Sequence, residues 1–166
     1  MRNTLLLVII TFLVYSCSLN SEKNVKLKAL EAAEKYAAAQ LRNPERKVLR
    51  DSTIMYRDTV RRYFILPSRV CTGLIDADDK TDAIVSVTSD SKYGQVLNEH
   101  LIILNSDGRY LVVRSVESDM KVVSVKNGII TALLPKKPVN NPLHNCPVCT
   151  ETVQYRFRNG ELEKVE

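Results

Sequence analysis

The chain has 166 residues, 45% of them hydrophobic and 26% charged, with four Cys, no Trp and a formal net charge of +5. That length allows one domain with a sizeable core. Low-complexity tracts, internal repeats, Gly-rich phosphate loops and apolar runs long enough to anchor in a bilayer are missing, which argues against repeat, nucleotide-binding and integral membrane classes.

The N-terminus carries an address. Met1-Arg2-Asn3-Thr4 is short and positively charged, Leu5 to Val14 is apolar apart from Thr11, and Val14-Tyr15-Ser16-Cys17 closes the run. An apolar stretch this short suits the h-region of a signal peptide better than a span. Charge, apolar core, small residue and cysteine in this order resemble a bacterial lipoprotein signal with its lipobox, although Tyr15 is bulkier than the usual residue there. The resemblance covers residues 1–17 only. It implies cleavage after Ser16, acyl chains on Cys17 (palmitate among them) and a mature chain held at a membrane of the cell envelope. Each buried methylene adds about 0.8 kcal/mol to such an anchor. Ser18, where an Asp would imply inner-membrane retention, points to the outer membrane, with the domain facing the periplasm.

The expected organisation is a signal peptide over residues 1–16, a polar tether over 17–24 and a single domain over 25–166. Charge is uneven along it: residues 17–70 hold twelve Lys/Arg against six Asp/Glu, residues 71–120 four against nine, and residues 121–166 seven against four. In a nuclear or cytosolic protein the basic N-terminal third would raise the question of nucleic acid; an envelope address argues against that partner. Anionic lipid, cell-wall polymer or an acidic envelope protein remain.

A helix is expected from about Glu22 to Leu41, rich in Ala, Leu, Glu and Lys, with Val25, Leu30, Ala33, Ala37 and Leu41 forming a stripe for the core. Asn43-Pro44 ends it. From Val48 the chain reads as strands: Ile54–Tyr56, Arg61–Leu66, Val70–Ile75, Ala83–Thr88, Leu101–Leu104, Tyr110–Arg114, Val122–Lys126, Ile129–Leu134, Thr152–Arg158 and a terminal piece, Leu162–Val165. Hairpin turns fall at Asn105–Arg109, Asn127-Gly128 and Asn159-Gly160. Alternation places Val153, Tyr155 and Phe157 in the core. Leu101-Ile102-Ile103-Leu104 does not alternate, which predicts a central strand covered on both faces. The fold class is α+β: one N-terminal helix packed on a curved antiparallel β-sheet of six to nine strands.

Pro135 to Thr150 holds four prolines and no periodicity, so it reads as a long loop. His144, Cys146 and Cys149 lie in it. A structural disulfide suits an oxidising envelope, either Cys146 with Cys149 or Cys71 with one of them. Cys-Pro-Val-Cys also has the C-x-x-C form of thiol–disulfide oxidoreductases, with Cys146 as nucleophile and Cys149 as resolving thiol, but a strand-like run follows it instead of a helix. His144, Cys146 and Cys149 could otherwise supply three of four ligands to a metal.

Asp76, Asp78, Asp79 and Asp82 crowd one turn. Convergent carboxylates could hold calcium, which makes a calcium-dependent binding module an alternative, although Lys80 lies among them; a solvated turn uses the same residues. Arg57, Arg61, Arg62 and Arg69, interleaved with Tyr56 and Tyr63, could bind an anionic partner or simply form an outer sheet face. His100, ahead of the buried strand, reads as structural, and no catalytic constellation is recognisable. The expected function is therefore a membrane-anchored envelope lipoprotein with a non-enzymatic binding or assembly role and no cofactor.

Overall fold

The structure, a computed structural model, describes residues 2–92, 94–136 and 149–165, with side chains from residue 21 onward. One helix, α1 (Arg2–Ala39), precedes ten strands: β1 (Glu45–Val48), β2 (Ile54–Arg57), β3 (Arg61–Gly73), β4 (Asp82–Ser91), β5 (Val96–Ser106), β6 (Arg109–Glu117), β7 (Lys121–Lys126), β8 (Ile129–Pro135), β9 (Thr150–Arg158) and β10 (Glu161–Lys164). The fold is α+β, as the sequence predicts.

No residue before Pro44 is Pro and none before Gly73 is Gly, so nothing local interrupts helix propagation. The backbone over residues 18–24 accordingly belongs to α1. After Ala39 the chain tightens, with the Gln40 and Leu41 N–H groups bonding to the Ala37 and Ala38 carbonyls, and Asn43 takes a positive φ before Pro44.

The buried stripe of α1 is Val25, Ala29, Ala32, Ala33, Ala37 and Leu41, with Leu30 partly buried beside it. Alanines four apart bring the helix backbone close to the sheet, and the sheet supplies the bulk: Ile65, Val85, Val87, Leu101 and Ile103 all belong to this core.

Strands β1 to β6 form one antiparallel sheet in sequence order, and β7 to β10 form a second antiparallel sheet in the order β10-β9-β8-β7. The expectation of a single curved sheet is thus refined: there are two. The chain turns from one to the other after Glu117, where the Ser118 hydroxyl oxygen accepts the Met120 N–H. A second core lies between the sheets, built from Ile75, Ile84 and Ile102 on one side and Val125, Ile130 and Phe157 on the other. Leu101, Ile102 and Ile103 are each 0% exposed because the helix covers the first and third and the second sheet covers the middle one.

The turns follow their residues. Asp107-Gly108, Asn127-Gly128 and Asn159-Gly160 all have positive φ at both positions, as two-residue hairpins matching strand twist require. β3 carries the largest irregularity. Ile65 pairs with Val87 and Val70 with Val85, so Leu66, Pro67, Ser68 and Arg69 stand opposite Ser86 alone. Pro67 has no N–H to give a ladder, which explains why a bulge sits there. The sequence pattern shows this one strand as two.

At the end of β3, Gly73 lets β7 approach: a Cβ there would collide with the Val125 carbonyl. Gly73→Ala is expected to lower stability by ~1–3 kcal/mol in urea unfolding, since backbone must move. An unchanged midpoint would mean that the sheets are not in contact at this point.

Candidate functional site

The second sheet does not cover the whole face offered to it. Where its edge strand β7 passes the β3 bulge, a cleft of about 450 Å³ remains. Ser68 and Arg69 of the bulge, Ser86 and Thr88 of β4, Asn98 and His100 of β5, and Met120 to Val123 with Leu133 bound it. Its volume lies within the range typical of small-molecule sites.

Polar cross-strand pairs line one wall. Ser86 stands opposite His100, and Thr88 opposite Asn98. Ser86 Oγ lies 3.0 Å from His100 Nδ1, and His100 Nε2 lies 3.2 Å from the Ser118 carbonyl. A carbonyl only accepts, so Nε2 carries the proton and Nδ1 accepts from the Ser86 hydroxyl. Thr88 Oγ1 donates to Asn98 Oδ1 at 3.0 Å, and Asn98 Nδ2 donates to Asp119 Oδ1 at 3.1 Å. Each of these polar side chains has a hydrogen-bond partner within the protein.

His100 is 3% exposed. Burial lowers its pKa below the ordinary 6.5, and the positive charge of Arg69 acts in the same direction, against the pull of the backbone partners. The ring is therefore neutral at neutral pH, consistent with the structural role expected for it. Cys71 also lines the cleft; it is a free, half-buried thiol whose Sγ lies 3.7 Å from the Val122 carbonyl, and burial raises its pKa. A raised thiol pKa makes a poor nucleophile at neutral pH.

The other sequence candidates are dispersed. Cys71 being free rules out its pairing with Cys149, which is itself disulfide-bonded. Cys146, His144 and the side chain of Cys17 lie outside the described residues. On either side of the residues outside the description, the Lys136 N–H bonds to the Cys149 carbonyl and Pro135 pairs with Thr150. β9 starts directly after Cys149, so no helix N-terminus follows the C-x-x-C.

Asp76, Asp78 and Asp82 converge, with one carboxylate oxygen of each within 4.8 Å of the others, whereas Asp79 is not of the group. Their oxygens also serve the backbone. Asp76 Oδ1 accepts from the Asp78 N–H, Asp78 Oδ1 from Lys80, and Asp82, wholly buried, from Ile75 and Asn105. Lys80 Nζ reaches Asp107 at 2.8 Å. The turn thus has a complete structural account as a staple between β3, β4 and β5.

Of the four arginines, Arg57 pairs with Glu45, and Arg62 forms a two-pronged bond with Asp90. Arg61 lies at a separate polar pocket beside Tyr63 and Glu99. Only Arg69 lines the cleft. Sequence reasoning missed Ser86, Asn98, Asp119 and Lys121. One signal for the site was present, the proline inside an otherwise strand-like run.

No protein family, curated protein or solved structure matches the chain. What the geometry defines is an α+β protein of three layers with a cleft along one inter-sheet edge.

Because the unfolded chain takes up a proton at His100 before the folded one does, this residue's contribution is complete above about pH 6.5 and falls away as the pH drops towards its lowered pKa. His100→Gln is expected to flatten that part of the stability profile, measured by urea unfolding between pH 7.5 and 5. An equally steep loss in the variant would assign the dependence elsewhere.

Proposed function

We propose that the protein is a lipid-anchored component of a bacterial envelope whose domain binds a small molecule in the inter-sheet cleft, without catalysing a reaction on it. The observation that carries the binding role is the cleft itself: an opening of about 450 Å³ beside a wall of mutually satisfied polar pairs. A polar wall beside apolar side chains is how small-molecule sites fix orientation while gaining affinity from burial. The anchoring role is supported by residues 1–17, whose charge, apolar run and Ser16-Cys17 junction suit lipid attachment at Cys17. Among the described residues no helix is long and apolar enough to cross a membrane.

A non-catalytic role is favoured by the state of the reactive groups. His100 has both ring nitrogens engaged, and the Cys71 thiol is disfavoured as a thiolate by burial.

Two measurements test the two halves. Cys17→Ser is expected to move the protein out of the membrane fraction; a variant that stays there would remove the lipid anchor from the account. Native mass spectrometry of the protein from its own envelope is expected to show an added small-molecule mass that Ser68→Trp, at the mouth of the cleft, lacks. Wild-type protein without added mass would count against the binding role.

A further inference from the structure

We propose that the ligand of the cleft is an organic carboxylate with an apolar body, its charged end held by Arg69 and Lys121. The inference rests on the cleft being a binding site and adds the chemistry of what enters. It starts from charge. Arg69 and Lys121 both border the cleft, and neither makes an ion pair or a side-chain hydrogen bond among the described residues. The arginines at 57 and 62, by contrast, are matched with acids on adjacent strands.

Among the described residues Asp119 is the one acid at the cleft, and its Oδ1 already accepts from Asn98. Two described cations thus stand against one acid, and the His100 imidazole in the same wall is neutral. Arg69 is exposed at the border of the cleft and close enough for its charge to bear on the buried His100 ring. The bulge puts it there: four residues opposite Ser86 alone take Arg69 out of the regular ladder.

Apolar side chains flank Lys121. Met120 is buried, and Val122, Val123 and Leu133 also border the cleft, with Val123 half-exposed in a bulge of β7. A ligand that only carried charge would leave these side chains wet, and one that was only apolar would bury two unpaired cations. An apolar body ending in a planar anion satisfies both, because a guanidinium offers a carboxylate paired donors in a fixed plane.

The test uses full-length protein purified in detergent from its membrane and three probes of one shape: 4-phenylbutyrate, 4-phenyl-1-butanol and 4-phenylbutylamine. Calorimetry is expected to show the carboxylate binding about tenfold or more tighter than the alcohol. The amine should bind most weakly. Arg69→Gln should remove the preference for the carboxylate and leave the alcohol unchanged, and Ser68→Trp should weaken all three. If alcohol and carboxylate bind equally, or the amine binds best, the anion inference is overturned while the cleft remains a site. If no probe binds, or Ser68→Trp changes nothing, the cleft is not a binding site and the inference fails with it.

Discussion

Everything in this molecule depends on one strand being dry on both faces of its sheet. Leu101, Ile102 and Ile103 of β5, between β4 and β6, have no exposed surface at all. Burying such a side chain contributes ~1.5–3 kcal/mol, and three in succession demand a cover on each side. The helix provides one with a face of alanines, close enough for Ile and Val of the sheet to fill the gap. The second sheet provides the other, and Gly73 allows it to sit down. Neither cover could form a stable unit alone, since a helix of this kind and a four-stranded sheet each need an apolar partner.

The cleft follows from the same arrangement. A four-stranded sheet laid on a six-stranded one leaves part of the larger face uncovered, and the uncovered part must be polar. On β4 and β5 the inward residues change from Ile84 and Ile102 to Ser86 and His100, and then to Thr88 and Asn98. These pairs satisfy each other across the strands, so the wall needs no ligand in order to fold. The β3 bulge opens opposite the first polar pair and places Arg69 there. A binding site of this type arises where coverage ends, and the residues that line it are chosen as much by the sheet as by a ligand.

Much of the fold was legible in the sequence. The helix, its alanine-containing stripe and its end at Asn43-Pro44 follow from local chemistry, and the three Gly-containing turns follow from residues that tolerate positive φ. The unbroken apolar run of β5 called for cover on both faces. What covers the second face was not legible, because strand patterns specify which side is apolar and not which strands pair; the change of sheet occurs in three residues, Ser118-Asp119-Met120, that resemble any other turn. β1, with all four residues exposed, gave no apolar alternation to read. The candidate site was legible only in fragments. Acidic and basic clusters stand out in a sequence, yet Arg57 and Arg62 are matched with acids elsewhere, and Asp76, Asp78 and Asp82 accept from backbone N–H groups. Ser86, Asn98 and Lys121 are unremarkable in the chain and meet only through strand register and the approach of β7.

The central claim is that a cleft open to small molecules lies between the sheets, and Cys71 reports on it directly. Its thiol is free and lines the cleft, while the core on the other side of the sheet is closed. The rate of Cys71 alkylation by iodoacetamide in the native protein, at a pH near the ordinary cysteine pKa of about 8.5, is the measurement to make. The account predicts slow but complete modification without unfolding, and marked slowing in Ser68→Trp. Modification that proceeds only as fast as global unfolding, or that ignores Ser68→Trp, would contradict it.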